Sequence, residues 1–155
     1  MEFDSEKLKN IPLFSNLAPE HLAKIGAIVT QKDFRANERI FSEGDAGTEM
    51  YLIIVGRIRI SKAIPGVGEE NLAILEPGSH FGEMALIDET PRSADAIAHT
   101  PATVWAIQKR DLETLMKVHK DLAYELLWTF VRTLSARLRE TNDKIQAFFA
   151  LSARY

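Results

Sequence analysis

Two opposite charges stand close together in residues 81–94 of the sequence, FGEMALIDETPRSA. Arg92 is the only cation of this segment, and a guanidinium matches two phosphate oxygens at once. An ionised carboxylate such as Glu83 would repel a phosphate but accepts hydrogen bonds from hydroxyl groups. Gly82 allows the backbone N–H groups of a tight strand-to-helix passage to approach a ligand closely. The segment therefore predicts a site for a ribose phosphate, with Arg92 on the phosphate and Glu83 on a hydroxyl.

Three blocks of sequence would position this segment. Residues 5–34 have apolar positions at helical spacing and predict N-terminal helices. Residues 35–107 change to short runs of strand-forming residues between glycine and proline turns, and they predict a sandwich or barrel-like roll. Residues 109–150 contain neither proline nor glycine and predict long helices. Because the chain has only 155 residues, we expect the blocks to form one domain over residues 1–155.

The last block carries an apolar stripe that needs a surface to cover it. The β-roll can cover part of the stripe, and a second copy of the same helix can cover the rest. The pattern predicts a homodimer through the C-terminal helix, and the periodicity leaves packing within one chain open. The stripe consists of Leu126, Phe130, Leu134, Leu138, Thr141, Ile145 and Phe148.

Charge and composition argue against several classes of partner. A net charge of −3 gives no polycationic surface for nucleic acid or anionic lipid. No apolar run reaches the roughly 20 residues that span a bilayer, and the first residues do not resemble a signal peptide. The sequence therefore predicts a cytoplasmic protein without a nucleic-acid or membrane partner. The basic residues of the last block alternate with acidic ones and predict a solvated helix face: Arg132, Arg137, Arg139 and Lys144.

The sequence gives little indication of a metal site or of a reactive thiol. Without cysteine the chain can form no disulfide, thiolate nucleophile or zinc-thiolate site. The histidines show no recognised metal-ligand spacing, and we expect no metal, no cofactor and no enzymatic activity. The four histidines are His21, His80, His99 and His119.

These motifs together resemble the cyclic nucleotide-binding domain family. Residues 81–94 closely resemble the phosphate-binding cassette of that family, and the resemblance covers nearly the whole chain. FSEGDAGTEMYLIIVGRIRI is similar to the early strands, LEPGSHFGEMAL to the approach to the cassette, and IPLFSNLAPEHL to the N-terminal helices. The chain is identified as a member of the family, of the catabolite-activator or protein kinase A regulatory-subunit type, and we expect it to act without a helix-turn-helix domain.

The resemblance implies an α+β, mainly β fold: an eight-stranded β-roll, or jelly roll, with flanking helices. It implies that cAMP or cGMP binds between the roll and the last helix, that Arg92 holds the cyclic phosphate and that Glu83 holds the ribose 2′-hydroxyl. Leu86 takes the position of the family's apolar hinge contact. The nucleotide contacts that it implies are Gly82, Glu83, Met84, Ala85, Arg92, Ser93 and Ala94 in the cassette, with Thr141 and Asn142 on the base.

One position departs from the family pattern and leaves the choice between cAMP and cGMP open. Asp95 lies where the family seldom has an acid. Its carboxylate could orient Arg92 or accept from guanine, could oppose the phosphate, or could face the solvent or the subunit rim. Ser93 fits relatives of either nucleotide preference, and we favour cAMP over cGMP.

Simpler interpretations exist for the two charges and for the whole chain. Arg92 could form a surface salt bridge with Asp88 or Glu89, and Glu83 could be an exposed turn acid. The chain could be a nucleotide-independent dimerisation or docking module with a degenerate pocket. It could also be a metal-dependent β-roll enzyme or the sensor half of a longer transcription regulator. In our preferred hypothesis the chain is a non-catalytic, ligand-gated module that moves its C-terminal helix and acts on an unknown downstream protein.

Overall fold

Two four-stranded antiparallel sheets face each other at the centre of the fold, with strand orders β1-β8-β3-β6 and β2-β7-β4-β5. The computed structural model describes residues 4–154, except for the side chains of Ala85 and Leu86. The predicted eight-stranded roll is confirmed. Its strands are β1 (Val29–Phe34), β2 (Arg39–Phe41), β3 (Glu49–Val55), β4 (Ile58–Ile64), β5 (Gly68–Leu75), β6 (His80–Phe81), β7 (Asp95–Ala98) and β8 (Ala102–Gln108).

Helices flank the roll on the N- and C-terminal sides, as the sequence predicts. The short α3 interrupts the strands and carries the middle of the 81–94 segment. No helix in residues 4–154 is long and apolar enough to cross a bilayer. The helices are α1 (Ser5–Lys9), α2 (Pro19–Gly26), α3 (Met84–Asp88), α4 (Lys109–Val118) and α5 (Lys120–Ser152).

The first strand begins earlier than the sequence pattern indicates. Residues 29–34 were expected at the end of the helical block, but they form β1 and pair with β8 in continuous antiparallel register. The pairing runs from Val29 opposite Ile107 to Phe34 opposite Ala102. Strand formation depends on the neighbouring strand more than on local propensity, and β8 is distant in sequence.

The core has two parts because β3 is buried on both faces. Met50 and Leu52 point toward the helices, whereas Tyr51 and Ile53 point into the roll, as the two-residue period of a strand requires. The helix-side cluster joins the sheet to α1, α2, α4 and the beginning of α5. The roll-side cluster packs β3 against β4, β7 and β8. This double burial fixes the roll relative to the helices.

Within the described part of the chain, the buried residues of α5 all lie near its beginning. Leu122, Leu126 and Phe130 are buried, whereas Leu138 and Phe148 are 61% and 66% exposed. The roll therefore covers part of the predicted stripe and leaves its second half open to solvent in a single chain.

A buried histidine fixes the start of α5 to α2. The Nε2 and Nδ1 atoms of His21 lie 3.0 and 3.3 Å from the carboxylates of Asp121 and Glu125. The backbone N–H of Leu122 and the His21 ring lower the pKa of Asp121. This contact sets where the long helix leaves the domain.

Candidate functional site

A cavity of about 300 Å³ opens between the roll and α5. Its volume is near the lower limit of the range, roughly 300–1,000 Å³, that ligand pockets occupy. The walls combine apolar strand residues with the polar residues of segment 81–94. The lining residues are Phe41, Ile60, Leu75, His80, Phe81, Gly82, Glu83, Met84, Thr90, Pro91, Arg92, Ser93, Ala94 and Arg137.

Gly82 forms the turn that connects β6 to α3 at the cavity wall. Its φ of +80° lies in the left-handed region that favours glycine. A Cβ atom at this position would lie 2.7 Å from Nη1 of Arg92. The turn therefore needs glycine both for its backbone angle and for the passage of the guanidinium.

Arg92 reaches into the roll and is only 6% exposed. Its Nη1 donates to the Gly82 carbonyl at 2.8 Å, and its Nη2 donates to the Glu49 carbonyl at 2.6 Å. The guanidinium carbon lies 4.2 Å from the centroid of the Phe41 ring. Its Nε is buried and has no hydrogen-bond partner among the described residues. A buried cation with an unused donor at a cavity can accept an anion.

The interpretation of Arg92 as a surface salt bridge is wrong. Asp88 instead accepts hydrogen bonds from the backbone and side chain of Thr90, and Glu89 pairs with Lys109 at 2.9 Å. Among residues 4–154 with described side chains, Arg92 has no carboxylate within ion-pair distance. Burial lowers the pKa of Arg92, but a guanidinium stays protonated in proteins.

Glu83 is also buried, at 3% exposure, so the interpretation as an exposed turn acid is wrong as well. Arg137 of α5 donates from Nη1 to one carboxylate oxygen, Oε1. Nδ1 of His80 lies 3.4 Å from the other oxygen, Oε2. Burial on its own would raise the pKa of Glu83, but His80 and Arg137 together lower it below its ordinary value. The carboxylate is therefore held in its ionised form.

Sequence reasoning missed Arg137, which it assigned to a solvated helix face. The helix carries this residue back over the cavity, where its side chain is half-exposed and paired with Glu83. Thr141 follows one helical turn later, and its hydroxyl donates to the Arg137 carbonyl. The sequence did contain a signal for this role. Arg137 precedes Thr141, the expected base contact, by four residues, and residues four apart share a helix face.

The remaining predicted residues divide into three groups. Met84, Ser93 and Ala94 line the cavity. Ala85 and Leu86 belong to α3, but their side chains lie outside the described residues. Thr141 and Asn142 are exposed and do not line the cavity, so their contact with a base stays a prediction.

Asp95 faces away from the cavity. Its Oδ1 accepts from the backbone N–H of Glu43 at 2.7 Å, and its Oδ2 lies 2.8 Å from Nη1 of Arg39. The Glu43 N–H and the Arg39 guanidinium lower the pKa of Asp95. Of the three interpretations of this departure from the family pattern, the structure agrees with the one that turns Asp95 away from the ligand site, toward the solvent or the subunit rim.

A hydrogen-bond network around Glu49 supports Arg92, and the sequence analysis did not predict it. The carboxylate of Glu49 accepts from Lys32 at 2.7 Å, from the Tyr51 hydroxyl at 2.8 Å and from Gln108. Burial and the Glu49 carboxylate raise the pKa of Tyr51, so this phenol remains neutral. The network holds the backbone carbonyl of Glu49 in place beneath the guanidinium.

No group of three or more His, Asp or Glu side chains in the described part of the chain could hold a metal ion. The cavity wall contains the charged side chains of Glu83, Arg92 and Arg137, which can bind groups of opposite charge or accept from hydroxyl groups.

Comparison with known proteins agrees with this geometry. The profile of the cyclic nucleotide-binding domain family matches residues 31–119, more than half of the chain. The chain belongs to this family. The match includes the whole roll after β1 begins, the segment 81–94 and α4, and it covers every residue that lines the cavity except Arg137.

Two curated relatives and one solved structure show the extent of the similarity. The chain is 34% identical over 147 residues to the cyclic AMP receptor protein of Thermus thermophilus, covering 95% of this chain and 66% of that protein. It is 28% identical over 140 residues to a CRP-like cAMP-activated global transcriptional regulator of Mycobacterium tuberculosis, covering 90% of this chain and 61% of that protein. The chain thus spans less than two thirds of the length of these relatives.

The solved structure is the N-terminal domain of a transcriptional regulator from Streptomyces coelicolor A3(2). It superposes with a TM-score of 0.77 at 31% identity and covers 90% of this chain and 94% of that chain. The jelly-roll fold of this cyclic nucleotide-binding domain is therefore shared with that regulator.

The turn at Gly82 generates a prediction with a matched control. We expect Gly82→Ala to weaken cAMP binding at least about tenfold, because the new Cβ displaces a guanidinium whose charge-assisted bonds contribute about 1.5–3 kcal/mol each. Gly78→Ala is the control, since Gly78 has a φ of +90° but open space around it. Both variants should lose about 1–2 kcal/mol of unfolding free energy from backbone strain. Equal cAMP affinities in the two variants, measured by calorimetry, would contradict the prediction.

Proposed function

We propose that the chain binds a cyclic mononucleotide, with cAMP favoured over cGMP, and acts as a non-catalytic regulatory module in the cytoplasm. One observation carries the proposal: Arg92 is buried at the cavity without a carboxylate partner among the described residues. Burying an unpaired charge is unfavourable, and an anionic ligand would compensate it. Membership of the family supports a cyclic nucleotide as that anion.

The two charges of the cavity suit two parts of such a ligand. Arg92 has a free Nε donor for the cyclic phosphate. Glu83, ionised and acceptor-only, is suited to the ribose 2′-hydroxyl. In this proposal the backbone amides of Gly82, Ala85 and Ser93 complete the phosphate cradle, and Met84 and Ala94 contribute apolar contact.

Two observations support cAMP over cGMP. The Asp95 carboxylate is engaged by Arg39 and by the Glu43 backbone, so it is not available to accept from guanine. The two curated relatives described above carry cyclic AMP in their names. A serine at position 93 is compatible with this preference.

The central test is titration of nucleotide-stripped and refolded protein with cAMP and then cGMP by calorimetry. We expect the Kd for cAMP to be lower than the Kd for cGMP, and Arg92→Ala to raise the Kd for cAMP at least about tenfold, because a charge-assisted hydrogen bond contributes about 1.5–3 kcal/mol. Arg110→Ala is the matched control, because Arg110 is 88% exposed and lies outside the cavity. Unchanged affinity in the Arg92 variant would exclude its assigned role.

No binding of either nucleotide by the unmodified protein would contradict the proposal as a whole. The second candidate function, a nucleotide-independent dimerisation or docking module, would then be preferred. The exposed second half of the α5 stripe is the observation that favours this second candidate.

Movement of α5 is the proposed response to the ligand. The ion pair between Arg137 and Glu83 ties the helix to the cassette, and a ribose hydroxyl would compete for the same carboxylate. Rearrangement of this contact would let α5 close over the base and bring Thr141 and Asn142 to it. A ligand shifts such an equilibrium only by its differential affinity for the two states.

Distance measurements between spin labels test this movement. The chain has no cysteine, so Thr30→Cys on β1 and Lys144→Cys on α5 can be labelled selectively and diluted into unlabelled protein. We expect saturating cAMP to shift the distance distribution of this pair. The control pair, Thr30→Cys and Asn71→Cys, joins β1 to β5 within the roll and should not change. An identical distribution for the α5 pair with and without cAMP would contradict helix movement.

Homodimerisation through α5 is the proposed use of its exposed stripe. The stripe continues for several turns beyond the last buried residue, Phe130, and exposes large apolar side chains at Leu138, Ile145 and Phe148. Contiguous apolar surface of this kind marks an interaction site. A parallel or antiparallel copy of the same helix would cover it at the a and d positions of a coiled coil.

Solution mass tests the dimer. We expect the unmodified protein to sediment as a dimer and the double variant Leu138→Glu/Ile145→Glu to sediment as a monomer, because two buried carboxylates would face each other across the seam. Gln146→Glu adds one carboxylate per chain off the stripe and should leave the dimer intact. A monomeric unmodified protein at micromolar concentration would contradict the proposal.

A further inference from the structure

His80 faces the carboxylate of Glu83 from the side opposite Arg137. It lies in β6, is only 6% exposed and forms part of the cavity wall. Its Nδ1 is 3.4 Å from Oε2 of Glu83, whereas Arg137 binds Oε1. Nitrogen atoms of two different side chains therefore lie next to the two carboxylate oxygens.

The Nδ1 atom of His80 is not otherwise used. It is buried and has no aligned hydrogen-bond partner in the described part of the chain, because the 3.4 Å approach to Glu83 is an ion-pair distance without hydrogen-bond alignment. Buried polar atoms without a partner are rare in folded proteins and call for an explanation. At the wall of a binding cavity, that explanation is a role in the bound state.

We propose that His80 is a positioning residue for Glu83 and that its protonation strengthens nucleotide binding. The inference rests on the proposed function and adds to it a dependence of affinity on pH. A protonated imidazole donates through Nδ1 to Oε2, which orients the carboxylate for the ribose hydroxyl. It also adds a positive charge to a cavity that receives a phosphate.

The charged groups around His80 determine the sign of the effect. Glu83 faces it from the start of α3, Arg137 approaches the same carboxylate from α5, and Arg92 lies across the cavity. On β3 the strand partner of His80 is the apolar Leu52. The net environment therefore contains one carboxylate next to the ring and two guanidinium groups farther along the wall.

Among the described residues that line the cavity, His80 is the only histidine. The pKa of Glu83 is lowered from 4.5, so this carboxylate is ionised above about pH 5, and histidine is the side chain that ordinarily titrates between about pH 5 and 8. The cyclic phosphate keeps its single negative charge over the same range. An added anion favours protonated His80, so binding takes up a proton and the Kd falls as the pH falls.

The experiment is a cAMP titration by calorimetry at several pH values between about pH 8 and pH 5.5. We expect the Kd of the unmodified protein to fall at least about threefold over this interval. This change corresponds to a coupling between protonation and nucleotide binding of about half a pKa unit. In His80→Gln, which keeps a polar side chain without the charge, we expect the Kd to change less than about twofold.

A second histidine provides the matched control. His99 also has a buried Nδ1 without a hydrogen-bond partner among the described residues, but it lies between β7 and β8 and does not line the cavity. We expect His99→Gln to retain the pH profile of the unmodified protein.

The ways in which this inference can fail are distinguishable. If the unmodified protein binds neither nucleotide at any pH, the proposed function is contradicted and the role of His80 falls with it. If it binds cAMP with the same Kd at every pH, or if His80→Gln keeps the full pH dependence, only the role of His80 is overturned.

Discussion

The burial of one guanidinium without a carboxylate partner among the described residues is the constraint on which the site depends. Backbone carbonyls of Gly82 and Glu49 and the ring of Phe41 surround Arg92. These groups orient the guanidinium and partly solvate it, but none of them cancels its charge. The roll therefore maintains a localised positive charge at the end of an apolar cavity. The Glu49 network, the glycine turn and the aromatic side chains of the roll all contribute to keeping it there.

The cavity also keeps its two opposite charges apart. Arg92 is bound by carbonyl groups, whereas Glu83 is bound by Arg137 and His80. If Arg92 and Glu83 paired with each other, neither would be available to a ligand, and a buried pair of this kind contributes little net stability. The separate partners leave a cation and an anion that each face the same space. This arrangement suits a ligand with both a phosphate and a hydroxyl group.

The long helix α5 connects this site to the outside of the domain. Its first turns belong to the helix-side core and are fixed to α2 through His21. Arg137 lies about two helical turns beyond Phe130, the last buried residue of the helix. Its contact with Glu83 joins α5 to the cassette. Beyond Arg137 the helix is exposed over the rest of its described length. The contact with Glu83 and the exposed stripe therefore lie on one continuous helix.

Local patterns in the chain were sufficient to predict a sandwich or barrel-like roll, the flanking helices and the charged segment, because turn residues, apolar periods and residue chemistry are local properties. They also identified Arg92 and Glu83. The number of eight strands came from the resemblance to the family. Tertiary packing was needed to show that residues 29–34 are a strand, that Asp95 pairs with Arg39, and that Arg137 and His80 hold Glu83. Each of these outcomes, apart from the neighbouring His80, joins residues far apart in the chain. Contacts between such distant residues depend on how the sheets and helices pack together, and a local sequence pattern does not specify this packing.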